Sequence, residues 1–217
     1  MDTKIKAALT LTSVSCLVLV GLSLAGLALP AALAKLIASS GFLLVAIWSG
    51  ALLSTYGRVL LVGLALSFVG DACLIGESRQ AFLAGLSAFL LAHLAYISAF
   101  LVSGVSARWT AVAALPITAI AVLVYNWLGP HTPEDMLWPV RLYIVVISTM
   151  VMVAIGTRGK QASVLILSGA LLFFLSDLSV ASLRLLQVDF PTYVWGLPLY
   201  YAGQLCLALS ASQSRSH

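Results

Sequence analysis

Nine side chains in this sequence belong to types that bind and transform polar molecules, yet stand in or at the ends of long apolar runs. They are Asp71, His93 and Asp177, the basic residues Lys35, Arg141 and Arg184, and the phenols Tyr96, Tyr143 and Tyr200. An ionisable group in a membrane-spanning segment costs at least about 2.5–3.5 kcal/mol, so the two carboxylates and His93 need partners or a wet cavity. Two carboxylates with a His and a Tyr suit general acid–base work. His93 and Tyr96 lie three apart and so share one helix face, and the small residues Gly85, Ser87, Ala88 and Ala92 just before them let another helix come close. Each group also has a plain structural role open to it. The aspartates fit an ion-pair network that ties helices together, His93 fits a satisfied core residue, and Lys35, Arg141 and Arg184 fit side chains snorkelling to headgroups. Glu77 and Arg79 suit a rim or a solvated turn.

The elements that must position these groups follow from composition. Of 217 residues, 62% are hydrophobic and 8% charged, and the mean hydropathy is +1.10. A soluble domain carries about 25% charged residues, so a water-facing surface cannot be assembled and a soluble enzyme is excluded. A bilayer-spanning helix needs about 20 mostly apolar residues. Charges and turn residues cut the chain into eight such segments, roughly 5–29, 31–53, 59–76, 81–102, 109–128, 138–156, 162–186 and 194–212, which predicts an all-α integral membrane protein of eight transmembrane helices in a single transmembrane domain. Lys4 and Lys6 before the first run, with Ala32-Leu33-Ala34 after it, resemble a signal peptide, but the run is too long and is expected to be a retained span.

The net charge of +4 comes from basic residues scattered singly, which does not suit nucleic acid. Cys16, Cys73 and Cys206 fall inside apolar blocks and form neither a disulfide framework nor a zinc spacing. No nucleophile elbow, H-E-x-x-H, P-loop or dinucleotide fingerprint occurs, and of the three histidines His131 is in a loop and His217 terminal, so neither a metal nor a cofactor is called for. Trp48, Trp109, Trp127, Trp138 and Trp195 fall mostly near span ends, as interfacial anchors do. Counting basic residues on alternate sides places Lys4, Lys6, Arg58, Arg108, Arg158, Lys160 and Arg215 opposite Lys35, Arg79, Arg141 and Arg184. The positive-inside rule then puts both termini in the cytoplasm of a multi-pass protein of the cell membrane.

An internal repeat sharpens the placement. Gly63-Leu-Ala-Leu-Ser-Phe-Val-Gly-Asp71 lines up without gaps on Gly169-Ala-Leu-Leu-Phe-Phe-Leu-Ser-Asp177, and the same offset of 106 carries Lys35 onto Arg141. With a few residues inserted, Gly85-Leu86 matches Gly196-Leu197 and His93 falls on Gln204. Chance likeness between apolar helices is the competing explanation. Four helices per half, about 1–105 and 106–217, run the same way and imply a pseudo-two-fold axis along the membrane normal. Asp71 and Asp177 should then lie at one depth, with Lys35, Arg141, Tyr143, Arg184 and Tyr200 in the same outer half and His93 and Tyr96 near the middle.

The Gly63–Asp71 and Gly169–Asp177 strings, together with Phe82-Leu-Ala-Gly85-Leu-Ser-Ala-Phe89 leading to His93-Leu-Ala-Tyr96 and with Lys35 upstream, resemble the YhhN family of integral membrane proteins over spans two to eight. Family members of known activity are lysoplasmalogenases, which hydrolyse the vinyl ether bond of lysoplasmalogens to a fatty aldehyde and glycerophosphoethanolamine or glycerophosphocholine. The resemblance implies a lysophospholipid substrate taken from membrane lipids, Asp71 and Asp177 as the catalytic pair, and Lys35, His93 and Tyr96 around the same site. The residues suit that chemistry. A vinyl ether hydrolyses once its β-carbon is protonated, so one carboxyl could supply the proton while the other faces the oxocarbenium ion, as in glycoside hydrolysis. Lys35, Arg141 or Arg184 could hold the phosphate. A small proton-coupled transporter using the same aspartates is the alternative from another class, and a membrane protein without a substrate is a third. Discontinuous helices would favour transport, but Pro116 and Pro198 interrupt only the fifth and eighth spans and have no counterparts in the first and fourth.

Overall fold

The computed structural model describes residues 2–160, 162–186 and 188–212. Arg215, one of the basic residues behind the orientation, and His217 lie outside the described residues. Among the described residues eight long helices follow one another: α1 (Thr3–Leu24), α2 (Ala28–Trp48), α3 (Thr55–Cys73), α4 (Arg79–Ser103), α5 (Ala107–Leu128), α6 (Leu137–Arg158), α7 (Val164–Ala181) and α8 (Tyr193–Ser210). A π-helical turn, Ser182–Leu186, prolongs α7. Seven of the helices are long and apolar enough to cross a membrane. The exception is α8, which carries Tyr200, Tyr201 and Gln204 among its 18 residues and owes its place to packing inside the bundle. The protein is thus an all-α membrane protein.

Helix ends are set by local chemistry that differs in two places from the expected segments. The first boundary falls before Pro30: Gly26 takes a left-handed φ of 71°, and α2 begins at Ala28 because a proline in a first turn lacks only an N–H that would be unpaired anyway. Likewise α2 stops at Trp48, short of residue 53, where Gly50 at φ 94° turns the chain into a 3-10 segment, Ala51–Leu53. Ser54 then caps α3 through the Gly57 N–H at 3.0 Å, and Ser78 caps α4 through Ala81 at 3.1 Å, each satisfying an amide that would otherwise be orphaned. All five tryptophans are partly or largely exposed at or near helix ends. Trp48 and Trp109 mark one rim, and Trp127, Trp138 and Trp195 mark the other, as expected of two interfacial belts.

Six helices close a ring in which α2 packs on α3, α3 on α4, α4 on α6, α6 on α7, α7 on α8 and α8 on α2. Every one of these contacts has a counterpart half a ring away. Close approach depends on glycine: a Cβ on Gly63 would come within 2.5 Å of the Tyr96 ring, and one on Gly169 within 2.7 Å of Leu207. Outside the ring, α1 packs on α2 and α8, whereas α5 packs chiefly on α6 and buries only Ala113 and Leu128. Short connections make successive helices alternate in direction. The C-terminal ends of α3 and α7 and the N-terminal ends of α2, α4, α6 and α8 therefore share one end of the bundle, opposite the start of α1 and the end of α8.

Candidate functional site

At that end of the ring the helices enclose a cavity of about 290 Å³. Its walls bring together Lys35, Asp71, Tyr143, Asp177, Arg184 and Tyr200, among a majority of Leu, Val, Ile and Phe side chains. The two carboxylates come from α3 and α7, which stand on opposite sides of the ring, two cations share the wall with them, and most of the rest is hydrocarbon, with a few hydroxyls from Ser and Tyr. The formal charges balance, which is what allows four ionisable groups in so apolar a setting.

Asp71 is 3% exposed. Its Oδ2 accepts from the Ser39 hydroxyl at 2.6 Å and from the Tyr200 phenol at 2.7 Å, so α2, α3 and α8 are pinned together at one oxygen. Ser39 also meets the Tyr201 hydroxyl at 3.2 Å, which itself donates to the Lys35 carbonyl at 3.2 Å. The Lys35 ammonium interacts electrostatically with both Asp71 and Arg184, which gathers these charges at one end of the cavity. Arg184 reaches it from the π-helical turn, its guanidinium over the Phe82 ring at 5.8 Å. A π-turn re-aims side chains relative to a regular helix and recurs at functional sites.

Asp177 is held differently. Its side chain is 17% exposed and its Oδ2 accepts from the Tyr143 phenol at 2.7 Å. Behind the phenol stands His93, whose Nε2 is 2.9 Å from the Tyr143 oxygen and 3.4 Å from Asp177 Oδ2. Because the phenol proton is committed to the carboxylate, the network assigns the imidazole proton to Nε2, donating to the Tyr143 oxygen. The buried Nδ1 has no hydrogen-bond partner among the described residues. His93 stacks edge-on against Phe173 at 4.7 Å, and Phe173 against Tyr200 at 5.3 Å, so an aromatic wall joins the surroundings of the two aspartates.

Three of the expected site residues stand apart from the cavity surface. His93 is fully buried and reaches the cavity only through Tyr143 and Asp177. Tyr96, also fully buried, donates to Gln204 Oε1 at 2.8 Å and lies 3.1 Å from the Ser67 hydroxyl, so it ties α3, α4 and α8 together beneath the site. Arg141 lies outside, between the rings of Tyr125 and Trp138 at 5.3 Å from each centroid, beside a small groove on α5 and α6. Arg79, the first residue of α4, pairs with Asp135 of the loop before α6. The residues that composition did not single out are Ser39, Ser67, Gln204 and Phe173. Ser39 had a readable signal, lying four residues after Lys35 on the same face of α2, and Ser67 stands likewise one turn before Asp71. Phe173 looks like any core aromatic in the sequence.

Fold and site together define a multi-pass helical membrane protein with an amphipathic cavity, in which ionisable side chains meet an apolar wall. The chain belongs to the YhhN family, whose profile matches residues 31–211, that is α2 to the end of α8. Among curated proteins it is 32% identical over 163 residues to the lysoplasmalogenase TMEM86A of Bos taurus, covering 71% of this chain and 65% of that protein. It is 34% identical over 159 residues to the lysoplasmalogenase TMEM86B of Sus scrofa, covering 73% and 66%. A lysoplasmalogenase of Mycobacterium bovis is 42% identical over 108 residues, covering 46% of this chain and 41% of its own length. The chain thus spans just under two thirds of the length of these two mammalian relatives. No solved structure matches it.

Proposed function

We propose that the protein is a membrane-embedded lysoplasmalogenase, hydrolysing the vinyl ether of alkenyl-glycerophosphoethanolamine or alkenyl-glycerophosphocholine to a fatty aldehyde and the glycerophospho-alcohol. The observation that carries this reading is the single cavity in which two carboxylates, two cations and an apolar wall meet; the activity named for the relatives agrees with it. Lys35 and Arg184 hold the phosphate, the chain lies along the apolar wall, and the vinyl ether falls between them, beside Asp71 and Asp177.

The two carboxylates divide the work according to their surroundings. Asp177, partly exposed to the cavity, gives its proton to the β-carbon of the vinyl ether; the C=C electron pair forms the new C–H bond and leaves an oxocarbenium ion. Asp71, held at one oxygen by two hydroxyl donors, is a carboxylate facing that cation and takes a proton from the incoming water as its oxygen attacks the α-carbon. The resulting hemiacetal breaks at its bond to the glycerol oxygen, which takes the proton that Asp71 had accepted. As the aldehyde carbonyl forms, the C–OH proton passes to the Tyr143 oxygen while the phenol hands its own proton to Asp177, with His93 holding the phenol in place, so both carboxyls return to their starting state. Tyr200 and Ser39 position Asp71; Tyr96, one layer deeper, positions α8.

Purified protein given an alkenyl lysolipid should release a long-chain aldehyde, read by coupling to an alcohol dehydrogenase and NADH. Ester lysolipids should give none. Absence of aldehyde from both headgroup classes would turn the reading towards a proton-coupled carrier using the same carboxylates. As to placement, we put both termini in the cytoplasm and the cavity near the outer surface of the cell membrane, with two four-helix halves around an axis along the normal. The paired contacts of the helix ring and the Gly63–Tyr96 and Gly169–Leu207 contacts support the halves. A C-terminal fluorescent fusion should mature inside the cell, and a cysteine introduced at Glu134 should react with an impermeant reagent added outside; labelling only after permeabilisation inverts the topology.

A further inference from the structure

The cavity is not uniform along its length, and part of it lies beyond the helix ring. Leu128 of α5 with Val140 and Ile144 of α6 form a buried cluster separate from the main core, against which Val124 of α5 and Ala181 and Leu185 at the α7–π-turn junction pack. All six of these side chains also line the cavity that holds the aspartates. All six are apolar, whereas the Lys35 ammonium on the same wall interacts with Asp71 and Arg184. In the first half α1 also reaches the cavity, through Leu19 and Ser23, but it is fixed against both α2 and α8, and its Thr12 lies so near Gly41 that a Cβ there would collide with it. The helix that shapes the open arm is the least anchored of the eight. It rests chiefly on α6, it carries Pro116 in mid-span, which removes a backbone hydrogen bond, and it faces the bilayer with Val112, Leu115 and Leu123.

We propose that the arm between α5, α6 and the π-turn takes the hydrocarbon chain of the substrate and sets the chain length accepted, with Val124, Ile144 and Ala181 as the determinants. The occupant, a single unbranched chain on a glycerophospho headgroup, rests on the lysoplasmalogenase reading; the arm itself rests on its continuity with the charged end of one cavity. An aliphatic chain is the ligand that a wall with no hydrogen-bonding side chains can recognise, because burial of each methylene is favourable in proportion to area and needs no partner. Chains that outrun the arm leave their end in the bilayer between α5 and the ring and gain nothing further.

Binding of saturated, non-hydrolysable 1-alkyl-lysophosphocholines of 8, 12 and 18 carbons to the full protein in detergent tests this without requiring turnover. For the unaltered protein, affinity should rise by about fourfold per added methylene until the arm is filled and then level off. Ala181→Phe and Val124→Phe should bring the plateau to a shorter chain, weakening the 18-carbon probe at least tenfold while leaving the 8-carbon probe within about twofold. Ile144→Ala, which opens the arm, should move the plateau to a longer chain, and Leu115→Phe on the lipid-facing side should change neither. The same dependence on chain length in all four variants as in the unaltered protein would overturn the proposal. Aldehyde release from an alkenyl substrate, measured separately, decides the reading on which it rests: a shifted binding profile without aldehyde keeps the arm and removes the activity, and aldehyde with an unshifted profile does the reverse.

Discussion

Asp71 and Asp177 end two similar strings, stand in α3 and α7 on opposite sides of the same ring, and line one cavity, yet their surroundings differ. Asp71 is nearly covered and is held at a single oxygen by hydroxyls from α2 and α8. Asp177 is open to the cavity and tied to α6 by a phenol backed by an imidazole from α4. Two corresponding carboxylates have thus been given different partners, one a pair of plain donors that fix it, the other a group able to move protons. Under the proposed chemistry that asymmetry is the mechanism: vinyl ether cleavage needs one acid that gives its proton first and is recharged, and one carboxylate that meets the cation as an anion.

The comparison breaks first at the carboxylates. Asp71→Asn and Asp177→Asn keep shape and polarity but remove the titrating group, and each should lower aldehyde release by about 10²–10⁴-fold. Full activity in either variant would leave a single-carboxylate mechanism.

The phenols come next. Tyr143→Phe cuts the link from His93 to Asp177 and should reduce kcat by about 10–100-fold, since hydrogen bonds to charged groups are worth about 1.5–3 kcal/mol. Tyr200→Phe removes a donor from a buried carboxylate, so its first effect should be a loss of about 1–3 kcal/mol of stability, measured as unfolding in detergent. If Tyr200→Phe proves as damaging to kcat and as harmless to stability as Tyr143→Phe, the two sites are not specialised.

His93→Gln copies Gln204, the matching residue of the other half. It should slow turnover by about tenfold or less and change the shape of the pH–rate profile while KM stays in place; an unchanged profile would make His93 a core residue that merely fills space beside Phe173. The smallest effects separate the cations. Lys35→Met and Arg184→Met should raise KM by several-fold, as expected when a charge-assisted hydrogen bond to phosphate is lost, whereas Arg141→Met, outside the cavity, should leave KM within about twofold.

That last contrast also marks where the sequence alone stopped. Its apolar runs determined an all-α membrane protein and the number of helices, because hydropathy over about 20 residues is a local property set by the bilayer thickness. The cost of a charge in hydrocarbon singled out Asp71, Asp177, Lys35 and Arg184 before any contact was known. Matching strings aligned the aspartates, and four-residue spacing would have attached Ser39 to Lys35. What tertiary structure decided is which face of each helix looks inward. Arg141 and Tyr143 are two positions apart, about 200° around the helix, so only one of them can line the cavity, and the likeness of Arg141 to Lys35 pointed to the other one. The hydroxyls on Asp71 arrive from positions 32 and 129 residues away, a π-turn swings Arg184 into place, and α5 stands off from the ring where α1 does not. Each of these is fixed by how close two helices come, which depends on glycines meeting rings across the bundle, as Gly63 meets Tyr96. Neither partner of such a contact carries a mark of it in the local sequence.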